Sequence, residues 1–363
     1  MLQSRRASAI QSQPNYLMSS PLNITLSLVR ALSSCIILLL FHFDAVAEES
    51  LGTQSLIAND TTSSTLWEWR LEDFTEAEYR TGIKPLLLAF EEAGGRKVEP
   101  GKHRRVGLKV FTNSGPGLAT SKELVRALVA ELEFRGFTRK EIFIIDQSER
   151  ELRRAGYLPP LSLRQNDFYG VPVLALDSGA FYHPDWFYES PLPSFPVGEK
   201  VNDDRRSLLP YPLIDDIDFW INLPVAVDTP GVGVSCSLAN ASIWNVHNHL
   251  RFVAEQNSTP VAVTEICAIP ELRATWAFTL LSFEKFQYIG GPKFHSLYTE
   301  SYKKLCLSAN PVQTDYYVLR EMNRNRRASR FEEIPLTSPL FKYGQALGLG
   351  DYSGNSVKTV RLR

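Results

Sequence analysis

The chain has 363 residues, 44% hydrophobic and 22% charged, with a formal net charge of −1. That balance excludes a low-complexity chain and supplies apolar material for one large or two modest domains. It also leaves no basic field to attract nucleic acid, so no nucleic-acid partner is expected.

The first predicted element is an address. Arg30 precedes the apolar stretch Ala31 to Phe41, which contains Ile36-Ile-Leu-Leu-Leu40, and Ala45-Val-Ala47 supplies the small residues that a signal peptidase reads. This predicts a secretory signal over residues 1–47, cleavage near Ala47, and an exported protein, periplasmic or secreted. Met18 is an alternative start, because the segment before it is polar. The apolar run falls short of the ~20 residues that cross a bilayer, so a membrane anchor is the runner-up to a cleaved signal, and no membrane span is expected after signal removal. Cys35 lies inside the run rather than after it, which argues against a lipid attachment site. Removing residues 1–47 takes away three arginines and one aspartate and leaves 36 basic and 39 acidic residues. Cys236, Cys267 and Cys306 then remain, an odd set without a Cys-x-x-Cys pair. A cysteine-ligated metal or iron–sulfur site needs three or four closely spaced thiolates and is not expected. One disulfide with a free thiol and three buried thiols both stay open.

Residues 48–65 are polar and read as a disordered lead. A helical lead-in is expected over 66–100, where Trp67 to Ala93 carries Phe74, Ala77 and Leu86 to Phe90 as apolar positions before the break at Gly94-Gly95 and Pro100. Val106, Leu108 and Val110 then alternate with Gly107, Lys109 and Phe111, the period of a strand. Asn113-Ser-Gly-Pro-Gly117 interrupts it with turn-forming residues. Thr120-Ser-Lys-Glu123 has the pattern of a capping box and predicts a helix from Thr120, with Leu124, Val125, Leu128, Val129 and Leu132 on one face and Gly136 as its stop. Ile142-Phe-Ile-Ile145 follows as a second strand ending on Asp146. Two strands joined by a helical crossover pair in parallel with a right-handed connection. Gly115-Pro-Gly117-Leu-Ala-Thr120 differs by one residue from a dinucleotide-binding fingerprint. Free amides at a helix start attract phosphate or carboxylate, and Asp146 lies where ribose-binding acids occur. The competing reading is a loop that needs its glycines only to turn.

Ser148 to Gly156 reads as a short charged helix. Residues 184–212 form a proline-rich insert, with Trp186-Phe-Tyr188, Pro191, Pro193 and Pro196, whose aromatics pack a loop or line a pocket. Ile217 to Val225 reads as a strand, and Gly231 to Asn240 as a second glycine loop before a helix. The fold expected over 101–363 is therefore α/β: a mostly parallel sheet with helices on both faces, one main domain decorated by the insert.

Several short motifs in this order resemble the DUF362 family. They are Leu108-Lys109, the helix from Thr120 to Gly136, Asn222-x-Pro224-Val225, the glycine segment ending at Asn240, Gly290-Gly-Pro292, Ser308-x-x-Pro311-Val312-x-x-Asp315 and Gly348-Leu-Gly350. The resemblance spans most of 106–362 and implies an α/β fold with no generally established activity. Some members of that family carry ferredoxin-like cluster modules, for which this chain lacks the cysteines. Val227 and Thr229 stand where the family tends to place a lysine and a histidine. Ala239-Asn240 replaces a Lys-Asn pair, and Asn310 replaces an aspartate. These changes remove two cations and a carboxylate that would serve phosphate binding or acid–base chemistry.

The candidate ligand-binding residues are Lys109, Asn113, Gly115, Gly117, Thr120, Asn240, His295 and Asp315. Lys109 would meet an anion above the first strand or snorkel from a strand end. Asp315 would orient a ligand or cap the helix beginning near Pro311. His295 follows a turn-rich stretch and is either functional or simply exposed. His247-Asn-His249 converges on a metal from a strand or loop but diverges on a helix, and Trp244 and Phe252 favour the helix. Cys236 and Ser235 precede a helix start, which lowers a thiol pKa, but no base neighbours them in sequence. Asn240-Ala-Ser and Asn257-Ser-Thr match the glycosylation pattern. Arg324 to Arg330 reads as a basic surface run, a solvated loop rather than a docking patch. No cofactor or catalytic residue is assigned. Two functions compete: an exported protein binding a small anionic ligand, or a metal-linked substrate, in a crevice between Gly115–Thr120, Gly231–Asn240 and Asp315 with Lys109 as its cation; and a non-catalytic cell-envelope or interaction protein with a degenerate family site.

Overall fold

The computed structural model describes residues 64–163, 165–189, 206–254, 259–354 and 357–363. The signal segment, most of the polar lead, Pro191, Pro193 and Pro196 of the insert and the Asn257 sequon lie outside the described residues.

The strands in chain order are β1 (Thr65–Arg70), β2 (Val106–Lys109), β3 (Ile142–Asp146), β4 (Asp167–Phe168), β5 (Val171–Ala175), β6 (Tyr182–Glu189), β7 (Arg206–Pro210) and β8 (Phe219–Asn222). They continue as β9 (Val227–Thr229), β10 (Gly233–Ser235), β11 (Trp276–Ser282), β12 (Phe286–Gln287), β13 (Thr299–Glu300), β14 (Lys304–Ser308) and β15 (Lys358–Arg361). The helices are α1 (Glu76–Glu92), α2 (Lys122–Phe134), α3 (Glu149–Ala155), α4 (Ser237–Ala241), α5 (Leu250–Ala254), α6 (Thr259–Cys267), α7 (Pro270–Thr275), α8 (Pro311–Ala328) and α9 (Pro339–Ala346).

Among the described residues, nine strands form one sheet in the order β15-β1-β14-β11-β8-β2-β3-β5-β4. The pairs β2 with β3, β2 with β8, β3 with β5, β8 with β11 and β1 with β15 are parallel. β14 runs antiparallel to β1 and β11, and β4 to β5. The sheet is thus mixed with a parallel centre, and the fold is α/β. The chain builds β3 and β5 on one side of β2, then returns to place β8 on the other. This makes β2 and β8 the topological switch point, where open α/β sheets place ligands outside the carboxyl ends of the strands.

Alternation along the central strands sorts the core into two layers. Val106, Leu108, Ile142, Ile144 and Ile221 face α1 and α2, packing against Ile83, Leu86, Leu124 and Leu128. Phe111, Phe143, Ile145 and Trp220 face the other way, toward α4, α6 and α8. Helices therefore cover both faces. Each large side chain buried here removes apolar area worth roughly 1.5–3 kcal/mol from water. Trp220 and Trp276 add a stacked pair with ring centroids 5.0 Å apart.

Several local readings are corrected. The lead-in is not helical throughout: Thr65–Arg70 is β1, held between β14 and β15 by partners distant in sequence. Helix α2 starts one residue later than the capping-box pattern predicts. Ser121 is its N-cap, accepting from the Leu124 amide at 3.5 Å, while the Thr120 hydroxyl accepts from the Phe111 amide at 2.8 Å and donates to the Leu223 carbonyl at 2.7 Å. The glycine segment before α4 is a hairpin: β9 and β10 pair antiparallel around a turn at Gly231, whose φ is 81°.

The insert opens and closes as an antiparallel ribbon, with Phe187 opposite Leu208 and Tyr188 opposite Ser207. Tyr188 is buried and its hydroxyl donates to the Glu265 carboxylate, so this aromatic packs the domain rather than lining a pocket. Arg324 to Arg330 is not a loop but the end of α8 and the turn after it; Arg324, Arg326 and Arg327 pair with Glu321, Asp228 and Glu333. Cys236, Cys267 and Cys306 are three buried free thiols. No helix of the described residues is long and apolar enough to cross a membrane.

Candidate functional site

The alternation that buries Leu108 against α2 turns Lys109 toward α4, where it has no exposed surface. A buried ammonium persists only with partners, and Lys109 has one for each of its three protons. Its Nζ donates to Asp146 Oδ1 at 2.7 Å, the Val110 carbonyl at 2.9 Å and Asn240 Oδ1 at 3.0 Å. Burial pushes its pKa below the ordinary lysine range, opposed by the neighbouring Asp146. Asp146 is equally buried, and its second oxygen accepts from the Thr112 amide at 2.8 Å and hydroxyl at 2.6 Å. The acid at the end of β3 is therefore the counter-ion of Lys109, not a ribose ligand.

From Lys109 the hydrogen bonds run on across the sheet. Asn240 Nδ2 donates to Asn222 Oδ1 at 2.7 Å, and Asn222 Nδ2 donates to the Ser237 carbonyl at 2.8 Å. The Ser237 hydroxyl shares a 2.6 Å bond with that of Thr279. Asp315, on α8, closes the chain: its carboxylate accepts from the Ser237 amide at 2.6 Å and the Leu238 amide at 3.1 Å, capping α4. Burial raises the Asp315 pKa to about 8, against the lowering effect of those two amides. Asp315 does not cap its own helix. Asn310 does that, accepting from the Gln313 amide at 2.8 Å, so asparagine at this position has a structural use. Cys236 stands beside Asp315 at the start of α4; burial, then the carboxylate, drives its thiol pKa well above the usual value, which reverses the lowering expected from a helix start.

Of the eight predicted site residues, Lys109, Asn240 and Asp315 belong to this one network. Thr120 lies apart, tying the end of β2 to the end of β8. Asn113, Gly115 and Gly117 lie on the loop above, and that loop is occupied by the protein itself. Its amides at Gly115, Leu118 and Thr120 donate to the carbonyls of Thr112, Gly115 and Phe111. The Phe294 ring fills the place a Gly117 side chain would take, 2.4 Å from an added Cβ, and Lys293 Nζ donates to the Asn113 carbonyl at 3.0 Å. The glycines serve the turn and this close approach; Gly115 has φ 95°. His295 is exposed, its ring against Tyr298 at 4.7 Å and its amide on Gln287 Oε1, so it does not join the network.

Between Thr120, Ser121, Pro224 and Ser282, beside the switch point, the free space is about 10 Å³, which is the room one water needs. His247 Nδ1 accepts from the Leu208 amide at 2.8 Å in a turn rather than on a helix, and His249 packs against Trp244, burial pulling its pKa down to about 4. Asn240 is 1% exposed, which removes its sequon from reach in the folded protein. Thr112, Asn222, Ser237 and Thr279 complete the network and were not among the predicted site residues, although Asn222 belongs to one of the quoted motifs. The usable signal was a polar residue inside an apolar strand, as in Phe219-Trp-Ile-Asn222 and Trp276-Ala-Phe-Thr279.

The network can neutralise a buried charge and lock β2, β3, β8 and β11 to α4. Its donors and acceptors are directed at one another, so none of its charges meets open volume.

No family model matches the chain, and no curated protein matches it. Five solved chains match. One is a Thermotoga maritima protein with 12% sequence identity over 71% of this chain, at a TM-score of 0.35. The present chain spans 59% of that protein's length. A likeness of that size carries no functional argument.

Proposed function

We propose that this is an exported, DUF362-like α/β protein in which the family's polar site has become structural core, and that it serves as a non-catalytic envelope or interaction protein. The observation that carries this reading is Lys109: the cation that an anionic ligand would need has no exposed surface, and its three protons go to Asp146, Val110 and Asn240. Reaching it would break a buried ion pair, at a cost of about 3–5 kcal/mol, before a ligand made its first contact. The valine at 227, threonine at 229, alanine at 239 and asparagine at 310 agree with a site released from chemistry.

The test is a thermal-shift screen of divalent metals, nucleotides and organic acids. It compares the wild type with a Lys109→Met, Asp146→Asn double variant that removes both charges together. A ligand that prefers the native state raises its melting temperature. No anion in the panel is expected to stabilise the wild type through Lys109. An anion that stabilises the wild type and loses its effect in the folded double variant would overturn the reading in favour of an anion site.

A further inference from the structure

Away from the buried network, α2 and the β4–β5 hairpin flank a half-open hollow of about 460 Å³, within the size range of small-molecule sites. It shares no residue with the Lys109 cluster. Its floor is apolar, formed by Val129, Phe168 and Val171.

Tyr169 stands over it in an unusual conformation. With Gly170 it forms the two-residue connection between β4 and β5, where both residues have positive φ, 53° and 83°. That turn favours Asn-Gly, because a side chain larger than Asn is strained there. The tyrosine does not compensate by filling the core, since it is 63% exposed. Yet the ring is held in place. The Arg126 guanidinium lies 5.3 Å from its centroid, Phe168 meets it edge-on at 4.8 Å, and Arg139 Nη1 donates to the Tyr169 carbonyl at 2.9 Å. A strained residue that the surroundings hold, and that the core does not need, is a pointer to function.

The rim defines the ligand's charge. Arg126 pairs with Glu76 at 3.0 Å and Arg139 with Glu133 at 2.8 Å, so each cation lining the cavity has its own carboxylate. A charged ligand would find both cations already matched by carboxylates and gain little from them, whereas an uncharged one needs neither. The apolar floor and the upright aromatic ring select a flat, apolar body.

We propose that this cavity binds an uncharged planar aromatic molecule, seated on Val129 and Val171 and held against Tyr169. This site lies beyond the non-catalytic reading above and does not depend on it.

Indole is the probe, titrated into the purified protein by calorimetry, with benzoate and benzylamine as charged comparisons. Saturable indole binding is expected, stronger than for either charged ring. Tyr169→Asn suits the turn and should keep the melting temperature while weakening indole by about tenfold or more. Ala130→Phe, which fills the cavity from α2, should do the same. Absence of saturable indole binding to the wild type overturns the proposal. So does wild-type affinity in either folded variant, or a charged ring that binds as tightly as indole.

Discussion

At the scale of single residues, the Lys109–Asp146 pair has the largest expected effect. Lys109→Met leaves Asp146 buried with no counter-ion and should destabilise the protein by about 3–5 kcal/mol. Adding Asp146→Asn removes the orphaned charge and should recover part of that loss. Urea midpoints of the two single variants and the double variant form a cycle, and additive losses would show that the two side chains do not act as a pair. Asp315 makes a pH prediction. Its folded pKa is raised to about 8 from 3.8, so the folded protein keeps a proton that the unfolded chain has shed. The stability linked to that proton is complete below the lower value and is lost as pH rises through about 8, with a slope of at most about 1.4 kcal/mol per pH unit. Wild type should therefore lose stability between pH 5 and pH 9 more steeply than Asp315→Asn. Parallel profiles would exclude Asp315 as the titrating group.

At the scale of elements, the β2–α2–β3 unit was legible because its signals are local. Val106 to Phe111 alternate, Leu124 to Leu132 recur at helical spacing, and Gly136 ends the helix with φ 103°. The exact start of α2 was not legible, because Thr120 is recruited by Leu223, a partner that appears only after folding. The two roles are separable. Ser121→Ala should cost about 0.5–1 kcal/mol, the low end for an N-cap, since the bond is long. Thr120→Val leaves a buried amide and carbonyl without partners and should cost about 1–3 kcal/mol. Chemical denaturation of both variants ranks them, and a larger loss in Ser121→Ala would restore Thr120 as a capping residue. β1 escaped for the same reason. Thr65-Leu-Trp-Glu-Trp-Arg70 is short, borders a strong helical pattern, and becomes a strand only beside residues 304–308 and 358–361. In the candidate site, Lys109 and Asp146 could be read as polar ends of apolar strands. That they neutralise each other rather than a ligand depends on the sheet register, which aligns Lys109 with Ile145.

At the scale of the whole molecule, composition and the order of elements were enough for the α/β class. They could not give the antiparallel position of β14 or the small second sheet β10-β9-β12-β13. Those depend on pairings between distant segments that carry no periodic signature of their own. Export is tested at this scale. Mass spectrometry of the protein from its native host should find a mature start at or near Glu48, and a chain retaining Met1 or Met18 in the cytosol would refute the address read from residues 1–47. The placement of β15 gives the domain a temporal order. β1 is among the first strands made, yet one of its edges is covered only when Lys358 to Arg361 pair with Thr65 to Glu68. Contacts so distant in sequence form slowly, so a growing chain keeps that edge open until residues 358–361 have been made. For a polypeptide threaded through a membrane before it folds, as the proposed export requires, late closure of its own first strand helps to keep it in transit.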